Sequence, residues 1–419
     1  MRICLINNLY PPHAKGGAER VVSEEAQALK ALGHDICVIT AVPLPDDGDA
    51  SVKFSDEDGI RVYRFYPLNL FFYGELVRHG SLVRSIWHLW DLVNPFTART
   101  VREILKRERP DVVHTHNLKG IGFGTASAIR RLGIRHVHTF HDVQLAVPSG
   151  LIIKGEEHGP LIDGVPARLY ARLVKLVVGS PDVVIAPSRF LLKFYEERGF
   201  CPRSHKVFLT NPSPTPTLVP RVASGETRFL FLGQIEAHKG IIELIETFKE
   251  LLADGTKARL EFIGDGSLRE RAAAAAGKER NIVFYGRRNP AQFPALFAEA
   301  DWSVLNTLCY ENAPYIVPES FSYGVPILVA DIGGAAELVK NGHNGYQFTA
   351  GDKIALLTAL RAAVAARPRW AEFSSACLRF AELHDARHHA ERLVEIYKNK
   401  DAGLAHEGPV VPIRYRPRP

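Results

Sequence analysis

The chain has 419 residues, too many for one ordinary hydrophobic core, so two domains of similar size are expected. Hydrophobic residues make up 46% and charged residues 23%, which excludes a disordered chain, and no run approaches the about 20 apolar residues that span a bilayer. The net charge is +6, and residues 1–215 hold 27 basic against 22 acidic side chains, a balance that fits an anionic partner (phosphate, lipid head groups or nucleic acid) and an ordinary basic surface equally well.

Arg2–Asn7 reads as a buried strand rather than a secretory leader, so a cytoplasmic location is expected. Gly16-Gly17-Ala18-Glu19 opens a helix whose apolar spacing runs over Ala18–Leu32 and which Gly33 stops. Glycines at that turn let another molecule approach the helix N-terminus. Asp35–Thr40 is a second strand. Pro67–Pro95 mixes aromatics with Arg and His, and reads either as a helical insertion packing on its own domain or as a helix lying at a membrane surface.

Asp111–His116, Arg135–His141 and Asp182–Pro187 then repeat a strand pattern with helical stretches between them. This alternation predicts a doubly wound, mostly parallel sheet. His114 and His116 alternate on one strand end and share a face, whereas His138 and His141 do not. No fixed metal-ligand cluster emerges from these histidines, nor from the five scattered cysteines, so no metal is expected.

Residues 211–227 (NPSPTPTLVPRVASGET) have linker composition and separate a domain of residues 1–210 from one of residues 228–385. The second domain alternates again: strands at Arg228–Gly233, Ala258–Gly264, Ile282–Tyr285, Trp302–Asn306 and Pro326–Ala330, with a helix at Ile241–Asp254. The expected architecture is therefore two facing Rossmann-like α/β domains with a cleft between them. Residues 386–419 are expected as a terminal helix and a loose basic tail.

In the second domain Lys239 precedes a helix start at Gly240, where an ammonium and free backbone N–H groups can meet a diphosphate. Gly264-Asp265-Gly266 is a strand-end turn that admits a close ligand. The strongest signal is Glu311-Asn312-Ala313-Pro314-Tyr315-Ile316-Val317-Pro318-Glu319, with two carboxylates eight positions apart across a strand-to-helix loop. Ligands of open α/β sheets bind off such strand ends, where a carboxylate can accept from paired hydroxyls. Gly333-Gly334-Ala335-Ala336-Glu337 adds a further glycine turn.

Taken in order, Gly16-Gly17-Ala18-Glu19, DVVHTHN, HTFHD, LGQIEAHKG, FIGDG, the Glu311–Glu319 pair and GGAAELV resemble the retaining glycosyltransferases of family 4, over nearly the whole chain. The resemblance implies the two-Rossmann GT-B fold and a donor site for a nucleotide-diphosphate sugar. It implies that Gly17 lies near the donor phosphate, that Lys239 binds the diphosphate, and that Glu311 holds the sugar hydroxyls with the backbone of Asn312 and Ala313. Glu319 would grip the ribose, Gly264 and Gly266 would border the donor, and the backbone of Gly286 and Arg287 would border the base. His116 would touch the transferred sugar, with His141, Gly16 and Glu19 on the acceptor side. His116, Glu311 and Lys239 would be the catalytic set. One departure stands out: the family's usual Gly-Arg is Gly233-Gln234 here, so one diphosphate-binding cation is missing and weaker diphosphate binding is expected.

The expected reaction is front-face transfer of a hexose-type sugar with retention, without cofactor or metal. The expected acceptor is a glycan or lipid-linked molecule of the cell envelope or an exopolysaccharide. Peripheral membrane association at the inner face through the basic first domain is expected, and no nucleic-acid partner. Three other readings stay open on the residues: a sugar phosphorylase with lysine-bound pyridoxal phosphate, a nucleotide-sugar epimerase, and a non-catalytic sugar-nucleotide-binding protein.

Overall fold

The computed structural model describes residues 1–13, 16–222 and 224–399. The chain divides into two compact units. Unit 1 is built of residues 1–151, 156–212 and the helix Ala386–Lys398, and unit 2 of residues 152–155 and 213–385. The expected basic tail lies outside the described residues.

Unit 1 holds β1 (Arg2–Asn7), β2 (Asp35–Ala41), β3 (Lys53–Glu57), β4 (Ile60–Phe65), β5 (Val112–Thr115), β6 (Arg135–Thr139), β7 (Val183–Ala186) and β8 (His205–Phe208). They form one sheet in the order β3-β4-β2-β1-β5-β6-β7-β8, and every pairing is parallel except β3 with β4. Strands such as RICLIN and DICVITA are apolar almost throughout because helices cover both faces of a parallel sheet. One core cluster joins Leu5, Val38, Val112 and Ile185 to Val22 and Leu29 of the helix Gly17–Ala31. The same cluster contains Ala390, Leu393, Ile396 and Tyr397, so the C-terminal helix completes the core of unit 1 rather than standing apart.

Pro67–Pro95 resolves into the turn Tyr73–Arg78 and the helix Ser81–Val93. That helix packs inward through Trp87, Asp91 and Leu92. Asn94 ends it and starts the next, since its Oδ1 accepts from the N–H groups of Phe96 and Thr97 at 3.2 Å.

Unit 2 holds β9 (Thr227–Leu232), β10 (Ala258–Ile263), β11 (Ile282–Gly286), β12 (Trp302–Leu305), β13 (Ile327–Ala330) and β14 (Gly345–Phe348). The sheet is wholly parallel in the order β11-β10-β9-β12-β13-β14. Its core stacks Phe229, Phe231, Phe262 and Trp302 against the helix Ile241–Ala253. The stretch with linker composition is tied down along this unit: the N–H groups of Ser213, Thr217 and Val222 donate to the carbonyls of His384, Ser322 and Ala298. No helix of the described residues is long and apolar enough to cross a membrane.

Candidate functional site

The sheet of unit 2 reverses its order between β9 and β12, and in open α/β sheets the crevice beyond the strand ends at that point is where ligands bind. Lys239 follows β9 and Glu311 follows β12. Gly240 is left-handed (φ +61), and a Cβ there would lie 2.4 Å from the carbonyl oxygen of Asn306, so only glycine lets the two segments touch. Asn306 Nδ2 donates to the Gly240 carbonyl at 2.8 Å, and the Leu308 N–H donates to the His238 carbonyl at 2.8 Å. Glu311 is held from the other side, where the Gly334 N–H donates to its carbonyl at 2.7 Å and a Cβ on Gly333 would meet that oxygen at 2.3 Å. Between these clamps Lys239 Nζ reaches Glu311 Oε1 at 2.6 Å, both side chains half-buried.

Neighbouring groups adapt to this pair. Burial and the adjacent Lys239 ammonium lower the pKa of His238, which favours the neutral ring. Burial, then the Glu311 carboxylate, pushes the Cys309 thiol up to about 11, so it is no nucleophile. Asn312 is buried and Ala313 half-buried on the same loop, and Glu319 is buried on the short helix Ile316–Ser322 that follows.

Gln234, Gly264 and Gly286 lie at the ends of the adjacent strands β9, β10 and β11, with Gln234 and Arg287 exposed. Gly264 has φ +138, and a Cβ there would fall 1.8 Å from the Gly233 carbonyl oxygen; one on Gly266 would fall 2.4 Å from that of Ile235. These two glycines are thus required by backbone packed on backbone, a different reason from the ligand approach expected of them. The Gly264 N–H donates to the Gly286 carbonyl at 2.9 Å.

In unit 1 the sheet reverses between β1 and β5. Gly16 and Gly17 are exposed at the start of the helix after β1. Glu19, expected toward an acceptor, turns back instead: it is buried, its Oε2 accepts from the Gly16 N–H at 2.8 Å, and burial raises its pKa. Its role is to cap the helix.

His116 sits at the end of β5 with its ring buried. His116 Nδ1 lies 2.9 Å from His141 Nε2, and His116 Nε2 faces Glu25 Oε2 at 3.4 Å. Glu25 Oε1 is 2.9 Å from His389 Nε2, while His114 Nε2 and Nδ1 meet Thr139 Oγ1 and the Tyr397 hydroxyl, each at 2.7 Å. His116 therefore turns both ring nitrogens to protein groups in this state. Burial pushes His138 and His141 down to about 3, so the rings stay neutral. Glu25, His114 and His116 bring ligand-type atoms within 4.8 Å of one another, yet the protein itself engages both nitrogens of His114 and one oxygen of Glu25.

Sequence reading missed Glu25, His389 and Tyr397 here, and Asn306 and His238 in unit 2. Glu25 and His389 lie 364 positions apart, and nothing local marks either. Asn306 was legible as an amide that, like Asn7, closes an apolar run.

A family model described as "Glycosyl transferase 4-like domain" matches residues 16–212, and one described as "Glycosyl transferases group 1" matches residues 219–376. An uncharacterized 42.6 kDa protein in the cps region of Klebsiella pneumoniae is 26% identical over 341 residues, covering 81% of this chain and 87% of that protein. Among solved structures, a sucrose-phosphate synthase of Thermosynechococcus elongatus superposes with a TM-score of 0.73 at 17% identity, covering 95% of this chain and 98% of that one. The Anabaena Alr3699/HepE protein in complex with UDP and glucose gives a TM-score of 0.64 at 17% identity, covering 95% and 99%. The structural likenesses are likenesses of fold. With one glycosyltransferase model over each unit, and a largely parallel sheet in each, the chain belongs to the family 4 glycosyltransferases of GT-B fold and is a glycosyltransferase.

Proposed function

We propose that this glycosyltransferase takes a hexose-type sugar from a nucleotide-diphosphate donor and transfers it with retention to a glycan or lipid-linked acceptor in cell-envelope or exopolysaccharide synthesis. The observation that carries the reading is the Lys239–Glu311 pair at 2.6 Å, clamped at the reversal point of the unit 2 sheet. A donor brings both charges what they lack: phosphate oxygens for the ammonium and hydroxyl donors for the carboxylate. Inserting it exchanges one internal ion pair for two sets of charge-assisted hydrogen bonds. The similarity to a protein of a Klebsiella cps region supports the envelope setting, and the shared fold with a UDP- and glucose-bound protein supports the donor class.

In the proposed mechanism Lys239 and nearby backbone N–H groups stabilise the charge that develops on the leaving diphosphate, with no metal required. Gln234 offers a neutral contact at the same end, and Arg287 a cation two strand ends away. Glu319 takes the ribose hydroxyls, and the Gly286–Arg287 backbone borders the base. The acceptor attacks from the face the diphosphate leaves, passing its proton to the departing phosphate oxygen. Gly17 is a donor-phosphate contact in this proposal, and Gly16, His116 and His141 are acceptor contacts.

The test is a panel of nucleotide sugars, scored for thermal stabilisation and slow donor hydrolysis with and without EDTA, followed by NMR of the product's anomeric configuration. Stabilisation by one donor, chelator-insensitive turnover and retained configuration are expected. Inverted product, or no response to any donor, would overturn the reading.

A further inference from the structure

The helix Ser81–Val93 carries an apolar stripe on the side that faces away from its own domain. Leu82, Ile86, Leu89 and Val93 follow the 4-3-4 spacing of a single helical face, and they are 73, 51, 55 and 55% exposed. The inward face is already made by Trp87, Asp91 and Leu92, so this stripe is surplus to the core. A second helix, Val165–Val178, repeats the pattern: Val165, Leu169 and Leu176 are 79, 56 and 75% exposed. The two helices touch, since the His88 ring lies edge-on to that of Tyr170 at 6.2 Å.

Charge follows the stripe of the second helix, where Arg168 and Arg172 are exposed and neither has an acidic partner among the described residues. Arg172 occupies the place in the second stripe between Leu169 and Leu176. Neither helix exposes an acid, because Val165–Val178 contains none and Asp91 is buried. Exposed aliphatic rows flanked by unpaired arginines, with no acid, match an anionic lipid surface. A second copy of the chain fits worse, because a two-fold contact would bring these arginines together with no acid to meet them. A protein partner's interface core would favour aromatics, whereas these rows are Leu, Ile and Val.

We infer that the helices Ser81–Val93 and Val165–Val178 form a docking face by which unit 1 binds the surface of an anionic bilayer. The side chains of Leu82, Ile86, Leu89, Val165 and Leu169 enter the acyl boundary while Arg168 and Arg172 meet lipid phosphates. The face is separate from the donor residues, so the inference holds or fails independently of the donor chemistry.

The experiment is co-sedimentation of the full chain with vesicles of phosphatidylcholine alone or with phosphatidylglycerol added, at low and high salt. Binding is expected to the anionic vesicles only, weakening as salt rises. The double variant Leu82→Glu/Leu169→Glu is expected to lower vesicle affinity by at least about tenfold, and Arg168→Glu/Arg172→Glu by a similar factor. Both variants keep the wild-type melting temperature and donor hydrolysis, because the changed side chains are exposed and lie outside the donor site. Absence of anionic-vesicle binding by the wild type, or undiminished binding by both variants, overturns the inference. So does light scattering that shows a dimer dissolved by Leu82→Glu/Leu169→Glu, which would assign the face to self-association.

Discussion

Lys239 Nζ and Glu311 Oε1 lie 2.6 Å apart although 72 positions separate the two residues in the chain. Strand order brings them together: one follows β9 and the other β12, and those strands are neighbours only because the sheet reverses between them. Replacing Glu311 by Gln, or Lys239 by Ala, is expected to lower kcat/KM about 100- to 1,000-fold. Stability should fall by about 1 to 3 kcal/mol as well, since each side chain is only 17% exposed and removing one leaves the other charge without its partner. Kinetics beside urea unfolding will check this, and near-normal turnover in either variant would remove the pair from the mechanism.

Gln234 stands at the end of β9, exposed, where the family resemblance leads one to expect arginine. Gln234→Arg should tighten binding of the nucleoside diphosphate product by up to about tenfold at low salt, with the gain shrinking as salt rises. Titration calorimetry at two ionic strengths measures it. An unchanged affinity would move the phosphates away from this strand end.

The buried histidines set the response to acid. Burial holds His136, His138 and His141 down at about 3 in the native chain, against about 6.5 when unfolded. Between these values the unfolded chain takes up protons that the native sites refuse. Stability is therefore whole above about pH 6.5 and falls as pH drops toward 3, by up to about 1.4 kcal/mol per pH unit for each ring. Asp91 and Asp142, raised by burial to about 7 and about 6, act in the opposite sense over part of the range. The urea midpoint should thus be lower at pH 4.5 than at pH 7 (about one ring's worth after offset), and His138→Asn should flatten the difference. A midpoint that rises on acidification would contradict the buried, neutral assignment.

The Glu25–His389 contact predicts a non-additive pair of substitutions. Glu25→Ala leaves buried polar partners unmet and should cost about 3 kcal/mol, whereas Glu25→Leu with His389→Leu should cost about 1 kcal/mol or less. Additive losses in the double-mutant cycle would show that the two residues act separately.

Glycine positions offer a contrast within one protein. Gly264→Ala places a methyl 1.8 Å from a carbonyl oxygen at φ +138 and should cost at least about 3 kcal/mol, whereas Gly133→Ala, at φ +66 with nothing within 4 Å, should cost about 1 kcal/mol. Equal midpoints would mean that the β9 and β10 turns are looser than described.

Much of this was legible because parallel strands buried on both faces write themselves as unbroken apolar runs, as VVIA and ILVA do. The hairpin of β3 and β4 was not read. Its first strand, KFSDE, is an edge with mostly exposed or half-exposed residues and no apolar run. The signal lay in the turn: Asp58 and Gly59 both have positive φ, at 50 and 75°, the Asp-Gly pairing that two-residue hairpins favour. Glu311 and Lys239 could be named from local context, but not their contact, which belongs to the strand order. Glu19 misled because a carboxylate at a helix start looks the same in sequence whether it faces a ligand or the helix's own N–H groups.

The helix Ala386–Lys398 has a further consequence for how the protein is made. The main body of unit 2, residues 213–385, precedes this helix in the chain, so it can close before residues 386–398 are in place. Unit 1 cannot: Leu393, Ile396 and Tyr397 fill its core, and Tyr397 bonds His114. Unit 1 must wait for turns made after unit 2, with the apolar surface around Val22 and Leu29 uncovered meanwhile. A chain released shortly after residue 385 would therefore hold a finished second unit and an unfinished first one, and that is where chaperones would be needed.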